Sequence, residues 1–196
     1  MLKKYNKKIT IMLMLLTATP ITIPVINNLV TIEASAISEI NLSNSYETAE
    51  SMNVKWVQYS PGIWSAYEAS TNKEIYNGWI QTSPGEVYFI KDGVMQKGWI
   101  QLNSGKWVFL KNGNTNISNT NFKEGQVVRD VFVYSDPSTS YYLKSDGYMA
   151  EGWYEHSPGV WSYYIPGNGK KVVNTSMQIG SKLYYFDSNG VCTNPY

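Results

Sequence analysis

From residue 54 onward, short runs of aromatic and β-branched residues alternate with polar turns. Gly78-Trp79-Ile80-Gln81 and Val87-Tyr88-Phe89-Ile90 flank Ser83-Pro84-Gly85. Trp99-Ile100-Gln101 and Trp107-Val108-Phe109-Leu110 flank Asn103-Ser104-Gly105. Such runs on either side of a Gly-containing turn predict β-hairpins, and no window carries apolar residues at the ~3.6-residue period of a helix. The pattern predicts an all-β chain with little or no helix.

The hairpin pattern recurs. A period of twenty residues separates Trp79 from Trp99, and Trp56 to Tyr67 returns as Trp153 to Tyr164 at an offset of 97. Tyr141 to Trp153 repeats the second half of a unit, and Gly180 to Gly190 closes the series. Units too small to hold a core of their own predict a solenoid of short β-hairpin repeats, stabilised by stacking. The repeats divide into an N-terminal run over 54–111 and a C-terminal run over 127–196. Between them, the Asn-rich stretch 112–126 reads as a loop or degenerate repeat, and 37–53 as a polar leader or linker.

Within a unit the tryptophans stand eight apart, at Trp56/Trp64, Trp99/Trp107 and Trp153/Trp161, whereas Trp79 faces Val87. A three-residue turn at 103–105 places Gln101 opposite Trp107 and Trp99 opposite Phe109, so strand alternation puts Trp99 and Trp107 on one face. Rings packed between hairpins serve as the core of a solenoid. They also wall grooves at its surface, suited to a quaternary ammonium held by cation–π attraction or to the C–H face of a sugar.

The pattern Gly-Trp, then Gly-x-Trp/Val-x-Tyr/Phe, then Gly-x-Met-x-x-Gly-Trp resembles the bacterial cell-wall-binding repeats known as choline-binding repeats, with their glucan-binding and clostridial-toxin relatives. The resemblance spans about 54–196 and is strongest at Gly78–Trp107 and Tyr141–Trp153. It implies a choline-binding-repeat-like β-solenoid whose ligands sit between successive hairpins, against two Trp rings and a further aromatic or Met. By position the implied ligand-binding residues are Trp56, Trp64, Trp79, Trp99, Trp107, Trp153 and Trp161, with Tyr88, Met95, Tyr142 and Met149 as secondary choices. Val87 stands in place of a ring, Ser140 stands where a Trp is expected, and the unit at 175–196 lacks the Gly-Trp start. The implied partner is a cell-wall polymer, choline-bearing teichoic acid or a glycan. Glucan or host-surface oligosaccharide binding stays open beside it, as does a structural or protein-docking role.

Composition narrows the classes further. Lys3, Lys4, Lys7 and Lys8, an apolar run from Ile9 and the small-residue site Ala34-Ser35-Ala36 predict a signal peptide over 1–36, and hence a secreted, wall-associated protein with no membrane attachment after cleavage. Removing 1–36 takes away four lysines and Glu33 and moves the formal charge from +1 to −2, which argues against nucleic acid as a partner. Cys192 is the single cysteine, left for a bond between two chains or as a tolerated terminal thiol. His156 is the single histidine, placed by its His-Ser-Pro-Gly context in a turn, and no metal cluster, nucleotide fingerprint or paired-carboxylate cleft is legible. The expectation is a binding module without catalytic residues, metal or cofactor.

Overall fold

The computed structural model describes residues 49–113 and 115–196, so the predicted signal peptide and most of the predicted linker lie outside the described residues. Regular structure among the described residues is sixteen strands and no helix. The first seven are β1 (Glu50–Ser51), β2 (Val54–Ser60), β3 (Ile63–Glu68), β4 (Glu74–Ile75), β5 (Gly78–Ser83), β6 (Glu86–Lys91) and β7 (Val94–Met95). Next come β8 (Gly98–Gln101), β9 (Trp107–Leu110), β10 (Asn116–Ile117), β11 (Val131–Asp136) and β12 (Thr139–Leu143). The last four are β13 (Gly152–Ser157), β14 (Val160–Tyr164), β15 (Thr175–Ile179) and β16 (Lys182–Phe186).

Six antiparallel hairpins carry the fold, β2–β3, β5–β6, β8–β9, β11–β12, β13–β14 and β15–β16, called here the first to the sixth. In the third, Gln101 pairs with Trp107 and Trp99 with Phe109, the register that the three-residue turn dictates. The three Ser-Pro-Gly hairpins each shift register just before the turn, between Gln58 and Ser60, Gln81 and Ser83, and Glu155 and Ser157. Such a bulge absorbs the extra residue and tightens the local twist.

Two segments read as linker or loop join neighbouring sheets. β1 pairs in parallel with β5, Glu50 opposite Ile80, so the end of the predicted linker is a strand at the edge of the second hairpin. Residues 112–126 form no hairpin of their own; β10 extends the fourth, with Ile117 opposite Val133. Both strands are two residues long, too short for a periodic signal in the sequence.

The core lies between hairpins. On β9, Val108 and Leu110 pack with Trp79, Val87, Phe89 and Val127, while Phe109 and the partly buried Trp107 turn the other way, toward Val131, Leu143 and Met149. Every hairpin but the end ones is therefore two-sided, burying alternate residues against the hairpin before it and the one after it. At ~1.5–3 kcal/mol per buried large apolar side chain, stacking supplies the stability that an isolated hairpin lacks.

Candidate aromatic grooves between the hairpins

Each interface is built on the same four positions. The earlier hairpin contributes two, one on each strand and on the same face. The next hairpin contributes a third from its second strand, and the residue that bridges back onto that strand supplies the fourth. Between the first and second hairpins these are Trp56, Trp64, Tyr88 and Met95, and they wall a groove of about 370 Å³ with Lys123 and Glu124 at its side. Between the third and fourth they are Trp99, Trp107, Tyr141 and Met149, around about 290 Å³, with Gly167 and Asn168. Between the fifth and sixth they are Trp153, Trp161, Tyr184 and Cys192.

Ring geometry repeats with the pattern. Trp56 meets Tyr88 at 5.0 Å and 63°, Trp99 meets Tyr141 at 5.2 Å and 68°, and Trp153 meets Tyr184 at 4.7 Å and 66°. Trp99 and Trp107 stand 6.5 Å apart at 82°, two walls of one corner. Backbone hydrogen bonds hold the fourth position in place: the Met149 N–H donates to the Trp107 carbonyl (2.8 Å) and the Cys192 N–H to the Trp161 carbonyl (2.7 Å). Burial pushes the Tyr88 phenol up to about 12, with the Glu86 carboxylate adding to it, so the ring remains neutral at any physiological pH.

The methionine floor of each groove rests on a glycine. A Cβ at Gly125 would lie 2.4 Å from the Met95 sulfur, and one at Gly169 would lie 2.3 Å from that of Met149; both glycines hold positive φ, 77° and 66°. Only glycine satisfies the backbone angle and the close approach together. At the rim of the first groove the Lys97 ammonium bridges the Glu124 carboxylate (2.7 Å) and the Gly62 carbonyl (2.7 Å), while Lys123 pairs with Glu86 (2.6 Å). The charges there are compensated in pairs, leaving the π-faces and the thioether as the distinctive chemistry of the groove.

The structure brings together Trp56, Trp64, Tyr88 and Met95, and separately Trp99, Trp107 and Met149, as the resemblance implies. It parts from the expectation at four places. Trp79 is 7 % exposed and stacked on Phe89 at 4.6 Å, because the remaining positions of its interface are Val87, Val108 and Val127, whose branched side chains fill the space a groove would need. Tyr142 points away from the second groove into a buried cluster with Phe132, Tyr154 and Tyr164, its hydroxyl donating to Asp130. The residue in the groove is Tyr141, one position earlier. Aligned from the strand, Tyr88-Phe89-Ile90 matches Tyr141-Tyr142-Leu143 and Tyr184-Tyr185-Phe186. The turn Ser145-Asp146-Gly147 is one residue longer than Asp92-Gly93, so counting back from Met149 lands on the wrong tyrosine.

Cys192 is the third departure. It is 3 % exposed and packed with Val172 and Phe186 at the position methionine holds elsewhere, so its thiol is enclosed in the core and is not presented for a bond between chains. His156 is the fourth: it lies on β13, not in the turn, and its Nε2 shares a hydrogen bond of 2.9 Å with the Tyr164 hydroxyl. Burial, reinforced by the charge of Lys171, holds that imidazole below its usual value. Residues the sequence reading missed are Tyr141, Tyr184, Gly125 and Gly169; the Tyr-aromatic-apolar tripeptide was the signal for the first two.

Comparison with known proteins followed the same lines. A family model described as choline-binding repeat matches residues 136–176, and one described as putative cell wall binding repeat matches 178–192. Among solved structures, CbpJ from Streptococcus pneumoniae is 25 % identical, with a TM-score of 0.57 over 72 % of this chain and 42 % of that one. Choline binding protein F from Streptococcus pneumoniae, solved in the presence of a peptidoglycan analogue, is 29 % identical, with a TM-score of 0.55 over 70 % of this chain and 40 % of that one. The chain thus spans about two fifths of the length of these structures. No curated protein sequence matches it.

Proposed function

We propose that this chain, which carries choline-binding and cell-wall-binding repeats over 136–176 and 178–192, is a secreted, non-catalytic module that seats choline headgroups of a wall polymer in its aromatic grooves. The observation that carries the reading is the recurrence of one corner of π-faces over a methionine, at Trp56, Trp64, Tyr88 and Met95 and again at Trp99, Trp107, Tyr141 and Met149. A quaternary ammonium has no N–H to donate and is large and weakly hydrated, so ring quadrupoles and a polarizable sulfur hold it where a carboxylate alone would not. The order of basic, apolar and small residues over 1–36 supports export to the wall.

Each ring face contributes ~0.5–2 kcal/mol, and three together give on the order of 4 kcal/mol net, a millimolar site. Retention on a wall then comes from several grooves engaging one polymer, since the second contact is made at high effective concentration. Titration of the protein with choline, followed by tryptophan fluorescence and calorimetry beside an equal titration with dextran, tests the reading. Saturable choline binding with no dextran response is expected; dextran binding without choline binding would replace it with a glycan-binding module.

A further inference from the structure

The interface between the fourth and fifth hairpins keeps the framework of the grooves and reverses its chemistry. Its four positions are Phe132, Ser140, Ser162 and Lys171. The Lys171 N–H donates to the Ser140 carbonyl (2.9 Å), as Met149 does to Trp107, and Lys171 bridges to Tyr164 as Met149 does to Leu143. Its side chain even rests on a glycine: a Cβ at Gly190 would lie 2.7 Å from the Lys171 Cε. A lysine therefore occupies the place of the methionine, and serines occupy the places of a tryptophan and a tyrosine.

With those rings gone, a pocket of about 680 Å³ opens, lined among others by Ser138, Ser140, His156, Ser162, Lys171 and Asn189, and no aspartate or glutamate lines it. Lys171 is 8 % exposed. Its ammonium donates to the Asn189 carbonyl (2.7 Å) and lies 4.9 Å over the Phe132 ring, and no carboxylate is within ion-pairing distance among the described residues. The nearby acids are committed elsewhere: Asp130 accepts from Tyr142, and Asp187 accepts from the Asn189 and Val191 N–H groups. The Ser162 hydroxyl is fully buried and has no partner. Burial holds the Lys171 ammonium below its usual range, with Asp187 acting in the other direction.

A buried ammonium with one carbonyl for a partner is under-compensated, and such sites stabilise themselves by taking up negative charge. A ligand cation is excluded here, because the lysine's own charge already occupies the face of Phe132. We propose that the groove between the fourth and fifth hairpins is an oxyanion site, taking a phosphate or carboxylate group on the Lys171 ammonium against a wall of serine hydroxyls. It is separate from the tryptophan grooves, and its test does not depend on what those bind. A polymer that carries cationic and anionic groups offers a ligand to both kinds of groove.

His156 is the only histidine in the chain and lines the pocket, so its imidazole Cε1–H resonance reports on the site alone. The full chain is titrated with inorganic phosphate and, separately, with acetate, at fixed pH and ionic strength held with chloride. A saturable shift with at least one anion is expected, and the stronger of the two identifies the source as phosphate or carboxylate. Lys171→Met should weaken it at least about ten-fold, the effect of losing a charge-assisted contact, while choline titration of the tryptophan grooves stays unchanged. Ser140→Val, the residue found at the equivalent position 87, keeps the charge and closes the wall; it should weaken the shift and decides the matter should Lys171→Met not fold. No saturable shift with either anion overturns the proposal, as does an unchanged shift in folded Lys171→Met or, where that variant fails to fold, in Ser140→Val.

Discussion

Tyr141 and Tyr142 are neighbours on β12 that face opposite sides, so replacing each by leucine separates a groove wall from a core contact. Tyr141→Leu removes the ring that meets Trp99 at 5.2 Å and leaves a shorter aliphatic group in its place. The lost π-face amounts to ~0.5–2 kcal/mol, a weakening of the second groove for choline of roughly two- to thirty-fold, with the first groove as an internal standard. Tyr142→Leu leaves the groove intact and removes the hydroxyl that donates to Asp130. A hydrogen bond to a charged group contributes ~1.5–3 kcal/mol, which for a domain of this size lowers Tm by roughly 3–12 °C. Choline isotherms resolved into two classes of site, run beside thermal melts, read both effects. Tyr142→Leu weakening choline as much as Tyr141→Leu in a folded protein, or Tyr141→Leu leaving both classes untouched, would refute the placement of the groove.

Two further outcomes follow from the geometry. Gly169→Ala puts a methyl 2.3 Å from the Met149 sulfur at a φ of 66°, so it should displace Met149, shift its methyl resonance and weaken the second groove while Met95 and the first groove stay as they are. Burial depresses the His156 imidazole in the folded state, so below its unfolded value of 6.5 the unfolded chain takes up a proton that the folded chain resists. Stability should therefore be level above about pH 7 and fall as pH drops from 6.5 toward 5, and the part of the fall assignable to this group should vanish in His156→Phe thermal melts across that range.

Much of the fold was legible because a hairpin is a local object. The loop at Asn103-Ser104-Gly105 sets which residues pair, and the pairing sets which share a face, so Trp99 and Trp107 on one side follow from a dozen consecutive residues. The repeat then carries the same local answer along the chain, and the resemblance rests on that repetition. What a ring does at its position was not local. Trp79 and Trp99 open identical Gly-Trp-Ile-Gln strands, yet the first is core and the second is groove. The difference lies in Val87, Val108 and Val127 against Trp107, Tyr141 and Met149, residues brought from three separate segments. Likewise Tyr141 and Tyr142 are alike in the sequence until an extra turn residue decides which of them faces Met149. Lys171 reads as an ordinary charge on a polar loop, and only stacking shows that it fills a methionine's place beside two serines. Pairing within a hairpin is decided by turn length and strand alternation, which the order of residues contains. The chemistry of an interface is decided by which side chains meet across it, and that exists only once the hairpins are stacked.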